Sequence, residues 1–219
     1  MRFHERVAPP REEDLPDFLR PDVSAGRPVR SVPRARQSEV PAEPGVWVFI
    51  LGDLTIFGLM FVVFAVQQRA ARAAYADSAH ELLTALGALN TVVLLTSSYV
   101  VVRALHAARG GNLAAASRLL NLARISGAVF IAVKTVEYAH AVAGGHSPRE
   151  GGFFMYYFVL TGLHLLHVVL GTVFLSAWRG GLRQGHWRPV FAEGVAAYWH
   201  MVDLLWVIIF GLLYLEVAV

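Results

Sequence analysis

Ala197-Tyr198-Trp199-His200-Met201-Val202-Asp203-Leu204-Leu205-Trp206 places a histidine and an aspartate inside an apolar run that extends from about Val195 to Val219. A helix that crosses a bilayer needs roughly 20 apolar residues, so this run has membrane length. Ionisable side chains at such depth cost a few kcal/mol each or more, and are expected to face protein and to have partners. His200 and Asp203 are three apart and Glu193 lies seven before His200, so on a helix the three share one stripe. The partners of that stripe must come from the other apolar runs.

Four more such runs precede it. Expected spans are about 45–66, 82–102, 119–142 and 152–178, with the last at about 193–217. The third contains Arg124, Lys134 and Glu137, and its purely apolar part, Ile125 to Val133, is too short to cross alone. Lys134 and Glu137 are three apart and can pair, which lowers the cost of burying them. The composition agrees: 56% of residues are hydrophobic and only 16% charged, in a chain of 219. The expected fold class is all-α, a polytopic membrane bundle of five transmembrane helices over 44–219. A polar, proline-rich tail over 1–43, with eight Arg and eight acidic residues, is expected to be disordered and cytoplasmic.

The net charge of +3 does not point to nucleic acid, because the basic residues flank the apolar runs, where topology explains them. The absence of cysteine excludes disulfides and thiolate metal sites on this chain. Gly110-Gly111, Gly144-Gly145 and Gly180-Gly181 read as loop punctuation. Trp178, Arg179, Arg183 and Trp187 near helix ends are candidates for the interface and for lipid contact.

The candidate chemistry lies in the fourth and fifth runs. Thr161, His164, His167 and Gly171 fall on one helical face. Glu137, Glu193, His200 and Asp203 can converge on it, with Asp53 and Lys134 as further candidates. Three readings follow. One is a buried hydrogen-bonded network that fixes helix register. A second is an intramembrane metal site or enzyme, since histidines and carboxylates are metal ligands, although the Glu-x-x-His signature of di-iron bundles is missing. A third is a proton path through the intramembrane acids. His164 and His167, three apart on one helix, cannot sandwich one haem.

These residues resemble those of a known family. Gly162-Leu163-His164-Leu165-Leu166-His167-Val168 looks like a helix of the haem-copper oxidase subunit III family, with His164 and His167 at its two histidine positions. Tyr198-Trp199-His200-Met201-Val202-Asp203-Leu204-Leu205-Trp206, with Glu193 upstream, looks like that family's last helix, and Glu137-Tyr138 like the end of a middle one. The opening Leu51-Gly52-Asp53, Lys134-x-x-Glu137-Tyr138 and the last helix are most similar to the five-helix, NorE-like branch associated with nitric oxide reductase. Five-helix quinol oxidase subunits come next.

The resemblance implies a non-catalytic accessory subunit of a respiratory complex in a bacterial inner membrane. It implies no cofactor on this chain. Haem with copper, or haem with non-haem iron, would sit on the partner, the catalytic subunit of a haem-copper oxidase or nitric oxide reductase. Membrane lipids, including bound phospholipid, are further implied partners; nucleic acid is not.

Lys and Arg number eight in the tail, two in the first connection, four from Arg103 to Arg124, one at Arg149 and three from Arg179 to Arg188. Rich and poor segments alternate if all five runs span, which puts the N-terminus in the cytoplasm and the C-terminus outside. Alkaline phosphatase fused after Val219 is therefore expected to be active, and the same enzyme fused before Met1 inactive.

Overall fold

A computed structural model of the protein describes residues 44–79, 82–149 and 152–215. The expected tail, 1–43, lies outside them. The described residues form helices α1 (Pro44–Ala70), α2 (Arg72–Ala79), α3 (Thr84–Arg109), α4 (Leu113–Ala143), α5 (Gly152–Arg183) and α6 (Pro189–Phe210). A π-helical turn, Gly211–Leu215, continues α6. Five of these, α1, α3, α4, α5 and α6 with its π turn, are long and apolar enough to cross a membrane. All five expected spans are present. The short α2 is an addition: it folds back so that Tyr75 packs against Phe64 and Phe153.

Several helices run well past the hydropathy bounds. The third span begins at Leu113 rather than about 119, and the second ends at Arg109 rather than about 102. Hydropathy measures solubility in lipid, whereas the helix continues for as long as its own hydrogen bonds do. Three helices end alike. Gly111, Gly145 and Gly185 adopt φ of 80°, 94° and 77°. The next residues, Asn112, His146 and His186, donate their N–H back to Ala107, Ala141 and Gly181. This is the Schellman arrangement, and glycine takes its left-handed position without strain. Gly180-Gly181, expected in a loop, lies inside α5. Asn112 also caps α4, its Oδ1 accepting from the Ala115 N–H at 3.0 Å.

The packing follows from the spacing of the buried positions. In α4 they are Ala116, Leu120, Ala123, Gly127, Phe130, Lys134, Glu137 and Ala141, alternating steps of four and three. Gly87, Asn90, Leu94, Ser97, Val101, Ala104 and Ala108 do the same in α3. A repeat of 3.5 residues winds helices into a left-handed bundle. Small residues on both seams let α3 and α4 approach closely, the main source of helix affinity in lipid. α1 is the most lipid-exposed span: Ile50, Phe57 and Phe64, one residue per two turns, make its apolar contact.

α6 is the most buried span. Its Trp199 is fully buried and touches three helices. The ring lies against Gly127 of α4 and Gly171 of α5, and Nε1 donates to Ser97 Oγ of α3 at 3.1 Å. A Cβ on Gly171 would come within 2.7 Å of the indole, and one on Gly127 within 3.2 Å. A Cβ on Gly58 of α1 meets nothing within 4 Å. Gly171→Ala is expected to destabilise the protein by about 1–3 kcal/mol through overpacking. Its thermal unfolding in detergent should fall clearly below that of Gly58→Ala, which should match wild type.

Candidate functional site

The α5 face forms as its spacing requires: Thr161, His164, His167 and Gly171 are all buried. Its two histidines nevertheless serve different neighbours. His164 is fully buried, its ring packed edge-on against Phe130 at 5.4 Å and tilted against Trp206 at 5.2 Å. Neither of its nitrogens has a hydrogen-bond partner among the described residues.

His167 faces α1. Its Nδ1 lies 2.7 Å from the Leu163 carbonyl and its Nε2 3.0 Å from Asp53 Oδ2. A carbonyl can only accept, so Nδ1 carries a hydrogen. Nε2 and Asp53 then share one proton, and the pair is neutral whichever atom holds it. Asp53, a further candidate in the sequence, is thereby assigned a partner.

The second group gathers around Lys134 of α4, which shares the Trp206 ring with His164. Lys134 is fully buried, with Nζ 2.8 Å from Glu137 Oε2. The ammonium also donates to Tyr157 Oη at 3.2 Å and Tyr214 Oη at 3.1 Å. Tyr214 in turn donates to Glu137 Oε1 at 3.2 Å. The rings of Tyr157, Tyr138 and Trp206 stand 4.8, 5.2 and 5.4 Å from Nζ, an aromatic cage for the cation. Tyr138 donates to Thr161 Oγ1 at 2.7 Å, and Thr161 passes its own hydrogen to the Tyr157 carbonyl at 2.6 Å. The π turn after α6 presents Tyr214 to this cage, and Gly87 of α3 gives its ring room. A cavity of about 240 Å³ reaches Glu137 and Tyr157 from the helix ends.

The third group joins α6 to α3. His200 Nδ1 is hydrogen-bonded to Ser98 Oγ, next to the Trp199–Ser97 bond. Trp206 Nε1 donates to Thr91 Oγ1 at 3.0 Å. Asp203 is buried with both oxygens lacking a hydrogen bond among the described residues, the Ser98 hydroxyl being the polar group that faces it. Glu193 sits at the start of α6, 2.7 Å from Arg109 Nη2, and both are partly exposed.

The expected convergence of these residues on one network is therefore corrected. Glu193, His200 and Asp203 do share a stripe, but the stripe faces α3, not the α5 histidines. The candidates fall into three local groups, and Glu193 is an end-of-helix pair of modest strength. Trp178 is buried. Arg179 donates to the Ser117 carbonyl at 3.2 Å, while Arg183 is exposed and Trp187 half-buried. Arg109, Tyr157 and Tyr214 carry contacts that the sequence reading left out. Tyr214 left a trace, the one hydroxyl in the apolar stretch Val207 to Leu215. No group of three or more His, Asp or Glu among the described residues is arranged to hold a metal ion.

The sequence profile of cytochrome c oxidase subunit III matches residues 42–217, which takes in all three groups. The chain belongs to the cytochrome c oxidase subunit III family. It is 30% identical over 176 residues to cytochrome c oxidase subunit 3 of Synechocystis, covering 78% of this chain and 74% of that one. It is 27% identical over 175 residues to cytochrome bo(3) ubiquinol oxidase subunit 3 of Pseudomonas putida, covering 78% and 84%. It is 29% identical over 181 residues to a probable quinol oxidase subunit 3 of Staphylococcus aureus, covering 78% and 87%. Five membrane-length helices and bacterial relatives fit a multi-pass protein of the inner membrane.

In this subunit III chain the caged lysine makes the sharpest stability test. Removing one partner strands a buried charge at a cost of about 3–5 kcal/mol, whereas replacing both with neutral groups of similar volume is often nearly neutral. Lys134→Met and Glu137→Gln should each lower the folded yield and unfolding temperature. The double variant should recover most of the loss.

Proposed function

We propose that the chain is a non-catalytic accessory subunit of a respiratory complex of the haem-copper oxidase superfamily. Its role is to support assembly, stability or turnover of a catalytic subunit in electron transport. The supporting observation is how the polar groups are used. His167 has both nitrogens engaged, and Lys134 and Glu137 are held by each other and by two tyrosines. Groups so occupied serve packing and register rather than ligation. Haem and copper, or haem and non-haem iron, belong in this reading to the partner.

The finer proposal is that the partner is a nitric oxide reductase, on the similarity of Leu51-Gly52-Asp53, Lys134-x-x-Glu137-Tyr138 and the last helix to the NorE-like branch. A second reading, a quinol or cytochrome c oxidase as partner, is favoured by the names of the matched relatives. In either case the N-terminus is proposed to be cytoplasmic.

A tagged copy purified from native membranes in mild detergent is expected to bring down a larger hydrophobic subunit and haem at equal amount. Non-haem iron without copper in the eluate would identify a reductase, and copper an oxidase. An eluate free of haem would retire the subunit reading and return the His and carboxylate groups to consideration as a site of their own.

A further inference from the structure

Asp203 has a position that register and packing do not account for. It is 4% exposed, within the spanning part of α6, and neither carboxyl oxygen has a hydrogen bond among the described residues. No ion pair among the described residues includes it, and it lies one turn beyond His200, whose hydrogen-bond partner is the Ser98 hydroxyl. An uncompensated charge is costly at such depth, and a proton bound to the carboxyl removes it.

A route to that carboxyl exists on one side. Between α1, α3 and α6 runs a groove of about 500 Å³, lined by His200 and reaching the Arg109–Glu193 pair at the helix ends. α1 contributes Trp47, Ile50 and Leu54 to it, none of which titrates. His200 lies seven residues beyond Glu193, about 10 Å deeper along the helix. Its Nδ1 is bonded to Ser98, while its Nε2 has no partner among the described residues and belongs to a half-buried ring on the groove wall. The groove has room for water, which Arg109, Glu193 and His200 can hydrogen-bond, while the rest of its wall is apolar.

We propose that Asp203 is a proton-binding site, supplied from the membrane surface through this groove by way of His200 and Ser98. Groove water delivers a proton to His200 Nε2. The Nδ1 proton passes to Ser98 Oγ, and the Ser98 hydroxyl proton passes to the Asp203 carboxylate. One proton enters and one is bound, and no electron moves. His200 is left as the other neutral tautomer, and the reverse sequence releases the proton to the same side. The site stores a proton that enters and leaves through the one groove. This inference is independent of which catalytic subunit the chain joins, because its test needs the full-length chain alone.

The experiment is infrared difference spectroscopy of the full chain in phospholipid nanodiscs, with pH steps and exchange from H2O to D2O. Wild type is expected to show a protonated-carboxyl C=O band that Asp203→Asn removes and Asp203→Glu shifts. Ala197→Phe fills the groove without replacing a member of the relay. It and His200→Phe should each slow exchange of that proton about tenfold, equivalent to about 1.4 kcal/mol on the barrier. Should Asp203→Asn not accumulate, carbon-13 aspartate labelling assigns the band and Ala197→Phe still tests the route. Absence of an Asp203 band at every pH, or exchange equally fast with the groove filled, would overturn the proposal.

Discussion

One indole holds the bundle together. Trp199 of α6 enters the gap that Gly127 and Gly171 leave between α4 and α5, and its N–H fastens it to Ser97 of α3. In lipid there is little hydrophobic drive between helices, so close contact and hydrogen bonding must supply their affinity. A large ring in a slot made by two glycines gives the first, and the Ser97 bond gives the second. Because the one residue touches three helices, it also fixes their register. The α5 histidines, the lysine cage and the His200 group then fall at set levels above or beside it.

The bundle manages its intramembrane ionisable groups locally. Asp53 and His167 share a proton between α1 and α5, and Lys134 and Glu137 neutralise each other inside a ring of aromatic side chains. Neither group needs the other. Such separation limits the damage from losing any one contact, since buried networks fail as units.

What the sequence discloses depends on the range of the interaction. The five spans are legible because a membrane demands length and apolarity, both countable along a chain. Lys134–Glu137 is legible because its partners are three apart on one helix. Asp53–His167 is not: its partners are 114 residues apart, and two histidines and several acids fit the pattern equally well. The Glu193, His200 and Asp203 stripe is correct in phase, yet phase gives no direction, and only packing shows that it faces α3. Glycine is ambiguous in the same way. Gly180-Gly181 continues a helix and Gly185 ends one, and the difference is a backbone angle that composition does not encode.

The attachment of α1 has a consequence for biosynthesis. Its one inward carboxyl, Asp53, meets its partner on α5, which the ribosome makes 114 residues later. At synthesis rates of about 5–20 residues per second, α1 waits on the order of ten seconds in the membrane before His167 is available. During that interval it is an apolar helix with a single polar flaw and no mate. The first span thus leaves the insertion machinery as an unfinished part, and His167 marks when the nascent protein can finally claim it.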